Sequence, residues 1–167
     1  FPFGVTSGTA IFSAQFWGKD DIESIRKVLG ISLSVALAVG TLFTLAATLI
    51  PETLLHFYTN DTEVIVLASS YLRIVGLSYI FTAIVTSYHA IYRSITLVKL
   101  TVGISVTALI LKSILGYMLI FGIGGFPTLG VRGAAIATGL GWVFQFILIL
   151  ILTYTHKTPL AANRLSF

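Results

Sequence analysis

The sequence contains no cysteine and very little charge. Without cysteine, a disulfide framework, a thiolate metal site and a cysteine nucleophile are all excluded. Only 10% of the 167 residues are charged and the mean hydropathy is +0.99. A water-soluble domain with this composition would have too little polar surface. These deficits indicate that the chain folds in lipid.

Groups that could perform chemistry do not converge in this sequence. The six acidic residues lie in loops or at helix ends, and no nucleophile is spaced with a base and an orienting group. The glycine-rich run 122–125 lacks the preceding strand and the lysine of a nucleotide site. Basic residues lie singly between apolar runs, which does not favour nucleic acid. We therefore predict that the protein is not an enzyme and uses no metal or cofactor.

Long apolar stretches occupy nearly all of the chain, and a helix crosses a bilayer with about 20 such residues. They predict an all-α, polytopic membrane protein with five spans. These are A (up to about 17), B (28–49), C (64–92), D (98–121) and E (131–154). Span C is longer than the bilayer, so we expect it to tilt or protrude.

The charges between the spans alternate along the chain. Basic residues follow spans A, C and E, namely Lys19, Arg26, Lys27, Arg93, Lys99, His156, Lys157 and Arg164. The other connections carry Glu52, Asp61 and Glu63 after B and Arg132 after D. By the positive-inside rule the basic connections are cytoplasmic, so span A runs from outside to inside.

Local signals predict the ends and faces of the spans. Pro51 should stop or kink span B, residues 59–63 should cap span C, and 122–127 should form a turn. Small residues recur every four positions, a spacing that permits close helix packing in lipid. They are Ser32, Ala36, Gly40, Thr44 and Thr48 in B, Gly133, Ala137 and Gly141 in E, and Gly4 and Gly8 in A.

The first residues predict that this chain is a fragment of a longer protein. It has no initiator Met and opens inside an apolar segment. It shows neither the charged start nor the small-residue cleavage site of a signal peptide.

Lys112, near the middle of span D, is the strongest candidate for a functional residue. A charge at that depth costs about 2.5 to 3.5 kcal/mol on insertion scales and usually faces a bundle interior or a wet cavity. It could instead snorkel or be neutral. No acidic residue of the sequence lies at mid-membrane, so an acidic partner would come from outside this chain.

Four other intramembrane side chains are candidates for a substrate or ion cavity. Tyr117 and Trp142 lie deeper than interfacial aromatic residues, and Gln15 and Gln145 are amides that could line a cavity or join helices. Arg73 favours a snorkelling position at the outer interface. His89 and Arg93, four positions apart, favour a cytoplasmic anchoring pair.

The string Leu-Gly-Val-Arg-Gly-Ala-Ala-Ile-Ala-Thr at 129–138 resembles the LGVxGAAIAT signature of the multidrug and toxic compound extrusion (MATE) transporters. The family's other marks occur in order, including Gln15, the run 71–74 and Tyr117 followed by 119–122. The resemblance covers almost the whole chain. It implies two six-helix lobes around a cavity, with 1–155 as helices two to six of the amino-terminal lobe and 156–167 as the start of a cytoplasmic interlobe linker.

The resemblance also implies a function and two departures from the family pattern. It implies a secondary active multidrug exporter of the bacterial inner or plasma membrane, exchanging amphipathic, often cationic compounds for H⁺ or Na⁺. Its partners would be the lipid bilayer and a carboxy-terminal lobe of the same chain. Where the family has Asn and then Asn or Asp before the matched tyrosine, this sequence has Lys112 and Gly116. The alternatives are a lipid-linked oligosaccharide flippase of the same superfamily and a non-transporting membrane scaffold.

Overall fold

The chain folds into helices joined by short connections. The computed structural model describes residues 2–155, and all regular structure within them is helical. The predicted linker start, 156–167, with His156, Lys157 and Arg164, lies outside the described residues. The helices are α1 (Pro2–Trp17), α2 (Ile22–Leu49), α3 (Pro51–His56), α4 (Thr62–Gly76), α5 (Tyr79–Ser94), α6 (Val98–Phe121) and α7 (Gly130–Thr155), with a 3-10 turn at Ile123–Gly125.

Several of these helices are long and apolar enough to cross a membrane. Among the described residues α2, α6 and α7 each qualify, and α4 and α5 qualify when they are counted as one bent span. Helix α1 has 16 described residues, fewer than the roughly 20 needed for a full crossing. The predicted all-α, polytopic membrane fold is confirmed, while the count of five spans depends on including α1.

Span C is not one continuous helix. Helix α4 ends at Gly76, α5 begins at Tyr79, and the two are bent by 54°. Gly76 lies so close to α2 that a Cβ atom built on it would be 2.7 Å from the Cβ atom of Ala47. The stretch 64–92, expected to be one helix that tilts or protrudes, is therefore two helices, and the break lies where Gly76 packs closely on α2.

Hydroxyl groups satisfy backbone carbonyls at this break. A broken helix in lipid needs such partners, because no water is present to replace the lost backbone bonds. The Ser78 hydroxyl donates to the carbonyl of Val75 at 2.7 Å. The Thr44 hydroxyl of α2 donates to the carbonyl of Gly76 at 2.9 Å. The break is thus stabilised both locally and by the neighbouring helix.

The predicted helix-end signals are confirmed. Pro51 is at the first turn of α3, directly after α2 ends, and the Asp61 carboxylate caps α4. Gly122 ends α6 in the left-handed conformation, with φ of 71°. At the start of α2, Asp21 accepts hydrogen bonds from the side chain and backbone of Ser24, which hold the pKa of Asp21 below its ordinary value.

The two ends of the bundle differ in charge, as predicted. Helices α1 and α5 end, and α2 and α6 begin, at one end, which we call the basic end. There Tyr92 of α5 is hydrogen-bonded to Thr153 of α7 at 2.5 Å, and Ile25 of α2 belongs to the same core cluster. At the opposite end, Arg132 lines a shallow pocket with Glu63 of α4. The assignment of the basic end to the cytoplasm stays a prediction.

The small residues of α2 and α7 face neighbouring helices. The Ser32 hydroxyl is hydrogen-bonded to the Thr9 hydroxyl of α1 at 3.0 Å. A Cβ atom on Gly40 would be 3.2 Å from that of Ala83 in α5, and one on Gly133 would be 2.6 Å from the carbonyl oxygen of residue 119 in α6. The packing prediction is confirmed for both helices.

The glycine pair of α1 behaves differently. A Cβ atom on Gly4 or Gly8 would have no heavy atom within 4 Å among the described residues. The predicted close packing through these two glycines is therefore wrong for the helices that the structure describes.

Candidate functional site

An open cleft lies between α1, α2 and α5. Its volume is about 290 Å³ and its walls are mainly apolar. No charged side chain among the described residues lines it. Its polar and aromatic lining comes from Thr6, Phe43, Tyr79, Thr82, Thr86 and Ser87.

The break between α4 and α5 positions one wall of this cleft. Tyr79 begins α5 directly after the break, so the first turn of α5 faces α2 and α1. Gly40 allows this approach, since the position of its missing Cβ is only 3.4 Å from the Tyr79 carbonyl oxygen. A side chain on Gly40 would require α5 to shift by a few tenths of an ångström along this wall of the cleft.

The hydroxyls of Thr82 and Thr86 in the cleft can act as acceptors. Thr82 donates to the carbonyl of Ser78 at 3.0 Å, and Thr86 donates to the carbonyl of Thr82 at 2.9 Å. A hydroxyl oxygen that has donated its proton keeps lone pairs for a further hydrogen bond. The aromatic rings of Phe43 and Tyr79 add faces that attract cations. The cleft therefore suits an apolar molecule with a few donors or a diffuse positive charge.

A second polar feature joins α6 to α7. The Lys112 ammonium lies 3.8 Å from the centroid of the Trp142 ring. The aliphatic part of Lys112 occupies the space beside Gly141, where an added Cβ would overlap it. Cation–π contacts stabilise by about 0.5 to 2 kcal/mol, with the larger values at desolvated sites. We call the contact region of Lys112, Gly141, Trp142 and Gln145 the α6–α7 seam.

Gln145 is the buried amide of this seam. It is 5% exposed, and its Nε2 donates to the Ser105 hydroxyl of α6 at 3.5 Å, a long hydrogen bond. Ser105 precedes Lys112 by two helical turns. Three predicted residues, Lys112, Trp142 and Gln145, are thus brought to one interface, although none of them lines the cleft.

The other two predicted site residues lie elsewhere. Gln15 is exposed on α1. Tyr117 is 59% exposed, and its ring packs against Phe121 at a centroid distance of 5.1 Å. Lys112 and Tyr117 are five positions apart, which places them about 140° apart around an α-helix. The Lys112 ammonium therefore lies over Trp142 and on a different face of α6 from Tyr117.

Arg73 occupies the end of α4 and pairs with a carboxylate. Its guanidinium is 3.2 Å from Glu52 of α3, and both side chains are more than half exposed. This partly exposed pair fits the interfacial position predicted for Arg73. Surface pairs of this kind contribute little to stability.

The polar and aromatic residues of the cleft are not among the candidates predicted from the sequence. Thr82 and Thr86 are four apart and follow Tyr79 on one face of α5, which is a hydroxyl stripe on an otherwise apolar helix. That stripe is a signal for a polar surface in the membrane, but a weak one, because hydroxyls in membrane helices commonly bond to their own backbone.

Comparison with known proteins shows the class to which this architecture belongs. A family model described as MatE matches residues 1–118. The chain therefore belongs to the MatE family, and the resemblance to MATE transporters is confirmed. It is a multi-pass protein of the plasma membrane.

Three similar proteins are each considerably longer than this chain. It is 24% identical over 98% of its length to "Probable multidrug resistance protein YoeA" of Bacillus subtilis and covers 35% of that protein. It is 31% identical over 82% of its length to "Probable multidrug resistance protein NorM" of Rhizobium meliloti, covering 29% of it. "Uncharacterized transporter YisQ" of Bacillus subtilis is 28% identical over 89% of the chain, which covers 32% of it. The chain spans about a third of the length of these curated relatives. No solved structure matches it.

Proposed function

We propose that residues 1–155 form the amino-terminal lobe of a secondary active multidrug exporter. This exporter exchanges amphipathic, often cationic compounds for H⁺ or Na⁺. Residues 156–167 begin the cytoplasmic linker to a second lobe. The observation that carries the proposal is the uncharged, hydroxyl-bearing cleft between α1, α2 and α5. It is supported by family membership and by the printed names of the YoeA and NorM relatives.

The lining of the cleft favours amphipathic cations over other cargo. Apolar walls gain from burying an apolar molecule, and the rings of Phe43 and Tyr79 attract a diffuse positive charge without a carboxylate. A lipid-linked oligosaccharide carries phosphate and would need cationic side chains, which the described lining lacks. The protein is proposed as a transporter and not as an enzyme.

The proposed transport step is an alternation between two states of the cleft. Two lobes rock around a site near the middle of the membrane, and ionisable groups bias one state over the other. The α6–α7 seam contributes such a group, because Lys112 has an aromatic partner but no acidic one among the described residues. A change in its charge would alter the seam and the helices packed on it.

Efflux by the full-length protein tests this function. Cells expressing it should accumulate less ethidium when an ion gradient is present, and collapsing the gradient should remove the difference. Tyr79→Ala and Phe43→Ala should weaken efflux, because they remove ring faces from the cleft. Leu109→Ala is the matched control, since Leu109 is 62% exposed on α6 and lies outside the cleft. Gradient-independent accumulation in all strains would reject the proposal.

A further inference from the structure

The α6–α7 seam holds an alkylammonium group against an aromatic ring. The Lys112 ammonium lies 3.8 Å from the centroid of the Trp142 ring. Its aliphatic carbons fill a niche beside Gly141, since a Cβ atom added to this glycine would overlap Cγ, Cδ and Cε of Lys112. The niche and the ring together form a site shaped for a straight apolar chain that ends in a positive charge.

The niche follows from the small residues of α7. Helices α6 and α7 pack closely one turn away, where a Cβ atom on Gly116 would be 3.8 Å from that of Ala137. Gly141 follows Ala137 by four residues and therefore lies on the same face of α7. At Gly141 the space between the helices is taken by the stem of Lys112. Truncating this lysine would vacate that space.

The hydrophobic core holds the Trp142 ring in place. The ring packs against the core cluster that includes Ile104 and Ile149. Trp142 and Lys112 are nevertheless only partly buried by the described residues. The ring is thus positioned by the core, while the lysine that covers it keeps contact with its surroundings.

A second cation can replace Lys112 at this ring. No ion pair among residues 2–155 includes Lys112, and the acidic residues lie at the ends of the helices. An aromatic face attracts organic cations in general, including the quaternary ammonium groups of ligands. The Lys112 ammonium already covers the ring at contact distance. An incoming cation must therefore displace it in order to bind there.

We propose that the Trp142 ring and the niche beside Gly141 bind the cationic group of the cargo, and that Lys112 is a tethered competitor for this site. The two cations occupy the ring in turn: cargo binds as the ammonium leaves, and the returning ammonium displaces the cargo. The ligand class is an alkylammonium or a similar organic cation, because Lys112 itself shows how such a group fits. The inference rests on the proposed function for the identity of the cargo, whereas binding is measured without transport.

The test uses the full-length protein in lipid nanodiscs, with its tryptophans replaced by 5-fluorotryptophan. The ¹⁹F resonance of Trp142 is assigned by its loss in Trp142→Phe. The probe is n-butylammonium, which has the chain and the charge of a lysine side chain. In Lys112→Ala its half-saturating concentration should be at least about threefold lower than in the wild type, because a cation–π contact of ordinary strength no longer competes.

Two variants and one ligand serve as controls. Ile114→Ala shortens an exposed side chain of the same helix and should titrate like the wild type. Lys112→Arg keeps a cation on a flexible stem and should also stay near the wild-type value. The ligand 1-butanol has the same chain without the charge, so the Trp142 resonance should show no saturating response to it.

Equal half-saturating concentrations in the wild type and Lys112→Ala would overturn the proposal, as would a saturating response to 1-butanol. If Lys112→Ala does not fold, Lys112→Met takes its place, because methionine keeps an unbranched apolar chain without the charge. The same decrease is expected in that variant.

Ethidium efflux by the same variants distinguishes competition from packing. If the ammonium displaces the cargo, its removal should strengthen n-butylammonium binding and slow ethidium efflux, so the two measurements change in opposite directions. Weaker binding together with slower efflux would show that Lys112 only supports the packing of the seam, and would overturn the proposal.

The wild-type protein separates this inference from the function on which it rests. If no gradient drives ethidium movement while the Trp142 resonance responds as expected, the exporter proposal fails and the cation site stands. If efflux depends on a gradient but the wild type and Lys112→Ala titrate alike, the tethered competitor is rejected and the exporter remains.

Discussion

At the level of single residues, the charge of Lys112 is stabilised by an aromatic ring and not by a carboxylate. Its aliphatic carbons use the space left by Gly141, and its ammonium faces the Trp142 ring at 3.8 Å. A carboxylate would hold the charge more strongly than a ring does. Lys112 therefore remains sensitive to any additional group that approaches the seam.

This position predicts how substitutions of Lys112 affect efflux. Lys112→Ala in the full-length protein should reduce ethidium efflux at least about fivefold, the lower end of typical coupling effects. Lys112→Asn, which restores the residue type usual in the family, should retain part of the activity. Ile114→Ala serves as control, because Ile114 is 54% exposed in the same helix. Wild-type efflux in Lys112→Ala would remove this residue from the mechanism.

The glycines of α6 and α7 predict a contrast in stability. A methyl group on Gly133 would meet the backbone of residue 119, which cannot move without distorting α6. Gly133→Ala should therefore lower the free energy of unfolding by about 1 to 3 kcal/mol, the usual cost of overpacking. Gly103→Ala places the same methyl group in open space and should be neutral or stabilising. Thermal unfolding in detergent measures both, and equal midpoints would contradict the contact.

At the level of elements, the break between α4 and α5 defines this bundle. It turns a long apolar stretch into two helices bent by 54°, and it brings the first turn of α5 to the cleft. At this break Gly76 leaves no room for a side chain, because an added Cβ atom would be 2.7 Å from that of Ala47 in α2. Any side chain larger than hydrogen at position 76 would require α2 or α4 to shift.

Exchanging the residue types at positions 76 and 47 tests this contact. Gly76→Ala should destabilise the protein by about 1 to 3 kcal/mol, because its methyl group would lie 2.7 Å from the Ala47 Cβ. Adding Ala47→Gly removes the clash, so the double variant should recover most of the loss apart from roughly 1 kcal/mol for a glycine inside a helix. Thermal unfolding of both single variants and the double variant gives the coupling free energy. Strict additivity would show that the two residues do not touch.

The long membrane helices are predictable from the sequence, because an apolar stretch of about 20 residues that crosses lipid must form a helix. Span D is predicted as 98–121, and α6 covers Val98–Phe121. Span E is predicted as 131–154, and α7 covers Gly130–Thr155. The break at 76–78 was not predictable, because a Gly-Leu-Ser sequence also fits a continuous helix. It depends on Ala47 and Thr44, which are distant in sequence.

The candidate site was predictable only in part, for a related reason. Lys112, Trp142 and Gln145 stood out because polar or amphipathic groups are costly or rare at mid-membrane. Their contacts with one another depend on the register between α6 and α7, which composition does not fix. The cleft arises from the approach of α5 to Gly40. The stripe of small residues on α2 predicts close packing there, but it does not identify the helix that approaches or the residues that line the cleft.

At the level of the whole molecule, α5 is the central helix. It packs against α1 and α2 on one side, where the cleft lies, and against α7 on another through Tyr92 and Thr153. The shared core holds the helices together, so the basic end and the opposite end belong to one rigid bundle. We therefore expect the whole bundle to take a single orientation in the membrane, with the basic end in the cytoplasm.

The absence of cysteine makes that orientation directly measurable. In intact cells, a membrane-impermeant maleimide should label Tyr58→Cys, because Tyr58 is 89% exposed in the α3–α4 connection at the end predicted to be outside. Lys19→Cys, exposed at the basic end, should react only after the cells are opened. The unsubstituted full-length protein gives the background labelling. The reverse pattern would invert the predicted topology.

The contact between Lys112 and Trp142 also has a consequence for synthesis. The ribosome completes α6 before it makes the tryptophan of α7, so the lysine reaches the insertion machinery without its aromatic partner. Alone, a lysine at that depth costs about 2.5 to 3.5 kcal/mol to insert. We expect α6 to wait beside the translocon until α7 emerges, and the two helices to enter the bilayer as one hairpin.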